Sequence, residues 1–269
     1  MIQIRNIFFL VAATILVLGS SCENPIDALG SVRVEFSPVV ETQAFAGGDI
    51  YTSPAGRQYR INFFRMYVSD ISLIKEDGTE VLLSEVDLYD LAADGSGQDF
   101  GQSYTYADVE AGTYKGIKFG IGLPARLNTD PASYAVDHPL SIGNQMYWSW
   151  RAGYRFISIE GKVDSSQAMS GAELRQSFGY HIGKDSVNSP NNIYYEMVYD
   201  GPDDGFTLAE NEEFDIEFSV DVNEIFFNQT SPIDLVSEAV SHSVPGEQFD
   251  LSVRIAENLV NYALTKKPL

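Results

Sequence analysis

Three histidines, His138, His181 and His242, are the chain's only imidazoles, and Trp148 and Trp150 are its only indoles. Neutral imidazole is a good transition-metal ligand and costs less to desolvate than a carboxylate. Three of them suffice for a trigonal or open tetrahedral site. The ordinary role of a single histidine is a surface or hydrogen-bonded core position, so the two roles compete at each residue. Both tryptophans lie in MYWSWRAGYRFISIEG, residues 146–161. Side-chain direction repeats every two residues in an extended strand, which puts the two indoles on one face. Such a pair is either a core anchor burying about 150–250 Å² per ring or the working part of a site. Met146 falls on the same face and offers a soft thioether or gap-filling bulk. Glu160 reads as a strand-end carboxylate that orients a neighbour or pairs with Arg151 or Arg155. No partner carboxylate can be placed beside it, and no P-loop, HExxH, CxxC or dinucleotide-binding fingerprint occurs, so no enzyme activity is expected.

The elements that must position these residues are almost all strands. VRVEF alternates apolar and polar residues, and RINFFRMYVSDISLI turns through Glu76-Asp77-Gly78-Thr79 into EVLLS, a hairpin with an Asp-Gly signal. VDLYDL reads as another short strand. TYKGIKFGIGLP is a strand with a glycine bend ending at Pro124. Residues 125–145 form a long loop carrying His138, and the length of that loop suggests a functional or wrapping role. SFGYHIG, NIYYEMVYD and FDIEFSVDVNEIFF continue the pattern, the last with strict period two through Phe214, Ile216, Phe218, Val220 and Val222. FDLSVRIAENLVNYAL is expected to be a last strand or a short helix. The sum is an all-β fold, an antiparallel immunoglobulin-like β-sandwich with one long loop.

Residues 1–21 read as a lipoprotein signal peptide, with Arg5, an apolar run and small residues before Cys22, the only cysteine. Lipidation at Cys22 would anchor the chain to a bacterial envelope membrane, with 22–31 a tether and 32–269 the domain. No disulfide is then available, so the fold rests on its core. A formal net charge of -21 with no basic stripe argues against nucleic acid as a partner.

The ordered set of YVSDISLIKEDG, VDLYDL, AGTYKGIKFGIGLP, MYWSWRAGYRFISIEG, FGYHIG and SHSVPG, before a final IAENLVNYAL, resembles the MbnP-like family of secreted or lipid-anchored proteins related to the methanobactin-associated periplasmic protein. Glu110-Ala111-Gly112 stands where that family often has Pro-Ala-Gly. The resemblance implies copper, Cu(I) or Cu(II), as ligand. It also implies histidines around the metal and one tryptophan oxidised to kynurenine by a di-haem cytochrome c peroxidase-like partner. Carried onto this chain, the metal ligands are His181 and His242, which lie inside family-like motifs, with His138 from the loop. The modified residue is Trp148 or Trp150, Trp148 being closer to His138. The location implied is the periplasm or the outer membrane. A surface β-sandwich binding glycan or protein through its many aromatics, without metal, is the alternative.

Overall fold

The computed structural model describes residues 28–93, 100–129, 134–148, 153–166, 169, 174–184, 186 and 190–269. The expected signal peptide, Cys22 and Trp150 lie outside the described residues. Two sheets face each other. The smaller contains β1 (Leu29–Val40), β2 (Gln43–Ala44), β6 (Ser103–Glu110), β13 (Glu213–Asp221) and β15 (Leu264–Lys266). The larger is built on β4 (Gln58–Lys75), which pairs with β5 (Glu80–Asp90) along one edge. Its other edge is shared by β9 (Gly153–Val163) and β7 (Gly112–Ile121). Beyond β9 come β10 (Gln176–Gly183) and β14 (Val240–Ser241), while β11 (Tyr195–Tyr199) and β12 (Phe206–Leu208) lie on β7 and β3 (Tyr51–Thr52) on β4. Among the described residues β8 (Tyr147–Trp148) pairs only with β9.

The sandwich expected from the sequence is present. Most pairs are antiparallel, but β1–β13 and β10–β14 are parallel, and the second of these sets the site. Between the sheets Phe36 packs edge-on against Tyr89 and Phe119 and stacks on Phe218, all four almost fully buried.

Three elements differ from the sequence expectation. VDLYDL is the second half of β5, continuous with EVLLS. Val222 to Phe227 leave the strand and form α1, because the Asp221 carboxylate accepts the Asn223 N–H and caps a helix start. The tryptophan run is a hairpin of β8 and β9, with Tyr147 opposite Tyr154 and Trp148 opposite Gly153. Gly153 permits this with φ +93°, and a Cβ there would lie 2.2 Å from Asn128 Oδ1. The C-terminal stretch is helix α2 (Glu247–Asn258), which widens into a π turn at Leu259–Ala263 before β15. Among the described residues no helix is long and apolar enough to cross a membrane.

The long loop is fastened over the outer face of the larger sheet. Leu127, Leu140 and Met146 bury against Tyr67, Val86, Leu88, Tyr154 and Phe156, a second apolar cluster separate from the main core. The Tyr154 hydroxyl donates to the Leu140 carbonyl at 2.6 Å and the Tyr67 hydroxyl to that of Pro139 at 3.0 Å. Arg65, paired with the buried Asp90 at 2.8 Å, donates to the Asn144 carbonyl at 3.0 Å. These bonds set the path by which the chain enters β8.

Candidate metal centre

Strand parity decides which residues of β9 and β10 share a face. Ile157 and Ile159 enter the main core, as do Phe178, Tyr180 and Ile182 of β10, so the alternating positions Ser158, Glu160 and His181 turn to the loop side. His181 registers with Ser158, and Glu160 is the next residue along that face. The loop and β8 then bring Trp148 onto it, 6 % exposed.

His242 follows β14, whose Gly179–Val240 and Tyr180–Ser241 partners lay it alongside β10. The His181 and His242 rings face each other with Nδ1 atoms 2.9 Å apart. The ring of Trp148 meets both edge-on, at centroid distances of 5.3 Å to His181 and 5.7 Å to His242. The guanidinium of Arg155 lies 5.1 Å from the Trp148 ring centroid, on its face.

Three buried serines hold the segment in this position. The Ser243 hydroxyl accepts the Gly183 N–H at 3.1 Å and lies 3.0 Å from both the His181 carbonyl oxygen and the Ser252 hydroxyl. Ser252, on α2, is 2.6 Å from Ser241 Oγ, and Ser241 donates to the Gln248 carbonyl. Ser243 takes a left-handed φ of +52° to make these contacts. The knot thus ties the backbone of His181 to the backbone after His242 through α2.

Electrostatics fix the proton arrangement. His181 Nε2 is 2.7 Å from Glu160 Oε1, and this contact holds the Glu160 carboxyl below the usual carboxylate range, against the opposing effect of its partial burial. Arg155 Nη1, 3.7 Å from the same oxygen, acts in the same direction. Burial lowers the Arg155 guanidinium from its ordinary value. An ionised carboxylate only accepts, so His181 Nε2 carries a hydrogen. A separation of 2.9 Å between two ring nitrogens requires one proton between the Nδ1 atoms, donated by one ring and accepted by the other.

His138 does not join this pair. Its Nδ1 accepts the Leu140 N–H at 3.0 Å and its ring stacks on Tyr134, 4.3 Å between centroids, where it caps a turn of the loop. Among the described residues no group of three His, Cys, Asp or Glu side chains converges as a metal cage. Two imidazole nitrogens, those of His181 and His242, oppose each other. Met146 is fully buried in the loop-side cluster. Trp150 and Arg151 lie outside the described residues. Sequence reasoning missed the serine knot and the placing of Arg155 on Trp148. The serines on either side of His242 in SHSVPG were the only available sign of the knot.

Comparison with known families is decisive for membership. The MbnP family model matches residues 29–244, a span that includes every histidine and tryptophan. The chain belongs to the MbnP family. Among solved structures it is similar to MbnP from Methylosinus trichosporium, with 17% identity, a TM-score of 0.54, and coverage of 81% of this chain and 82% of that one. At that identity the likeness concerns the fold. No curated protein sequence matches. The family match spans the hairpin, the β10 histidine and the β14 histidine, which the fold brings to one place. It stops short of α2, although α2 supplies Ser252 to the knot behind His242.

Proposed function

We propose that this MbnP-family protein is an envelope lipoprotein that holds copper as cargo between His181 and His242, storing, buffering or delivering it. The single observation that carries the reading is the Nδ1–Nδ1 approach of 2.9 Å beside the Trp148 ring. Imidazole suits copper in either oxidation state. Metal–imidazole bonds of about 2 Å place two nitrogens about 3.3 Å apart at a tetrahedral angle and about 4 Å apart when linear. The rings therefore open slightly from their proton-sharing separation, and the ion takes the place of the shared proton. His138 stands outside this ligand set, and the chain's role is to hold the metal rather than to catalyse a reaction.

The third donor in this reading is Trp148 after oxidation to kynurenine by a di-haem peroxidase-like partner. In that step the indole C2–C3 bond breaks, and two equivalents of the peroxide such a partner consumes supply one oxygen atom to each carbon and are reduced to water. Hydrolysis then releases C2 as formate, so the indole nitrogen becomes an aniline beside both imidazoles. The cation of Arg155 over the indole face makes removal of an electron from that ring harder, which is consistent with a requirement for a strong, dedicated oxidant. Acylation at Cys22 would keep the domain at an envelope membrane, where such a partner works.

Metal analysis of protein expressed in a bacterial envelope with copper supplied tests the reading. Copper retained by the parent and by His138→Ala, but lost on His181→Ala or His242→Ala, is the expected result. Equal copper in all four proteins, or none in the parent, contradicts it. Peptide mass spectrometry across residues 146–151 decides the oxidation separately, since an intact indole at Trp148 in copper-loaded native protein removes that part.

A further inference from the structure

Glu160, His181, Trp148 and Arg155 form a closed ring of contacts. Glu160 Oε1 takes the His181 Nε2–H at 2.7 Å and lies 3.7 Å from Arg155 Nη1. Arg155 covers the Trp148 face, and Trp148 meets the edge of His181. The β9 backbone fixes two corners of this ring, and the Arg155 N–H, donated to the Met146 carbonyl at 2.7 Å, fixes the approach of β8 to it.

A histidine on a strand has two ways to present a nitrogen, because rotating the ring about Cβ–Cγ exchanges the positions of its two edges. With the Nε2–H committed to a carboxylate, Nδ1 is the nitrogen left to face a metal, once the proton it shares with His242 Nδ1 is displaced. We propose that Glu160 is the positioning residue that commits His181 to bind through Nδ1, with Arg155 steering Glu160 and Trp148 together. The inference rests on the copper reading for the purpose of the device, but the device itself is a property of the metal-free protein. A carboxylate accepting the distal N–H of a metal-binding imidazole fixes the ring and strengthens its donor nitrogen, and losing such a partner lowers metal affinity by about 10–100-fold. The side chain of Glu160 is 45% exposed, so its truncation leaves the core intact.

The test uses the full chain, ¹⁵N-labelled, in its metal-free and Cu(I)-loaded forms, comparing the parent with Glu160→Gln and Glu160→Ala. Long-range ¹H–¹⁵N spectra identify which His181 nitrogen carries hydrogen. The parent is expected to show a single Nε2–H form without metal, and a shift confined to Nδ1 on adding Cu(I). Glu160→Ala should give a mixture of tautomers without metal and a 10–100-fold loss of Cu(I) affinity by competition with a chromophoric chelator. Glu160→Gln, whose amide oxygen still accepts the N–H, should retain the tautomer and lose less than tenfold. If Glu160→Ala keeps the parent's His181 tautomer, or if Cu(I) shifts Nε2 in the parent, the proposal is overturned. A parent that shows the Nε2–H form yet binds no Cu(I) overturns the copper reading instead, and the tautomer of Glu160→Ala still decides the role of Glu160.

Discussion

Ser243 makes the strongest claim about how the two histidine segments are held. Its hydroxyl takes the Gly183 N–H and lies against the His181 carbonyl and the Ser252 hydroxyl, and the residue is fully buried. Ser243→Ala removes that hydroxyl and leaves the Gly183 N–H without its partner in a place where water is excluded. A buried donor left unsatisfied costs about 1–3 kcal/mol, and Ser252 partly offsets this because it keeps Ser241 at 2.6 Å. The expected loss is therefore about 2 kcal/mol. Ser243→Gly removes the same hydroxyl but also releases a non-glycine residue from φ +52°, a conformation that costs roughly 1–2 kcal/mol. The glycine variant should thus be the more stable of the two by about 1 kcal/mol. Urea unfolding monitored by far-ultraviolet circular dichroism measures both, with equal m-values confirming that only stability has changed. A Ser243→Ala variant within about 0.5 kcal/mol of the parent, the range of an ordinary surface change, would refute the claim that the serine knot ties these segments. A glycine variant no better than the alanine one would refute the strain.

Phe36→Ala empties the point where two sheets and four rings meet and should cost about 3–5 kcal/mol in the same urea experiment, with a smaller loss showing that the rings repack. Gly153→Ala forces a side chain into φ +93° and onto Asn128; a loss of about 1–3 kcal/mol is expected, with a red-shifted tryptophan emission as β8 lifts, and an unshifted spectrum would contradict the hairpin account. Asp87 is buried and its carboxyl is pushed up from the ordinary 3.8, chiefly by desolvation, while it accepts the Tyr106 hydroxyl at 2.8 Å. Above the ordinary value the unfolded chain gives up this proton while the folded one keeps it, so the parent loses stability as pH rises until the folded group ionises. Asp87→Asn keeps an acceptor for Tyr106 and has no such loss, so its stability relative to the parent should climb with pH across that window; a pH-independent difference would contradict the assignment.

Much of this architecture could be read in the sequence wherever one face of a strand meets the core and the other meets water. Phe214, Ile216, Phe218 and Val220 announce β13 because period two is what such a strand requires. Four of the following six residues are apolar while the chain changes to a helix, and a helix of that length is too short for its period to show; the Asp221 cap was the only sign. MYWSW reads as one strand with GYRFISIEG because aromatic density says strand, whereas the reversal depends on Gly153 and on Asn128, a residue 25 positions away. The sequence suggested that Glu160 orients a neighbour or pairs with Arg151 or Arg155. The structure adds that the neighbour is His181, brought diagonally opposite by a strand register no local pattern encodes. The same limit separates the histidines. His181 and His242 meet through a two-residue parallel pairing, while His138 is held back by the turn it caps, and residue type alone could not tell the three apart.

The central claim is that His181 and His242 together hold copper through their imidazoles. X-ray absorption spectroscopy at the copper edge of the loaded full chain tests it most directly, because multiple scattering from imidazole rings counts histidine ligands. The account predicts two imidazoles at about 2 Å in the parent and one in either His181→Ala or His242→Ala at forced loading. Copper scattering without imidazole in the parent, or an unchanged imidazole count in the two variants, would contradict it.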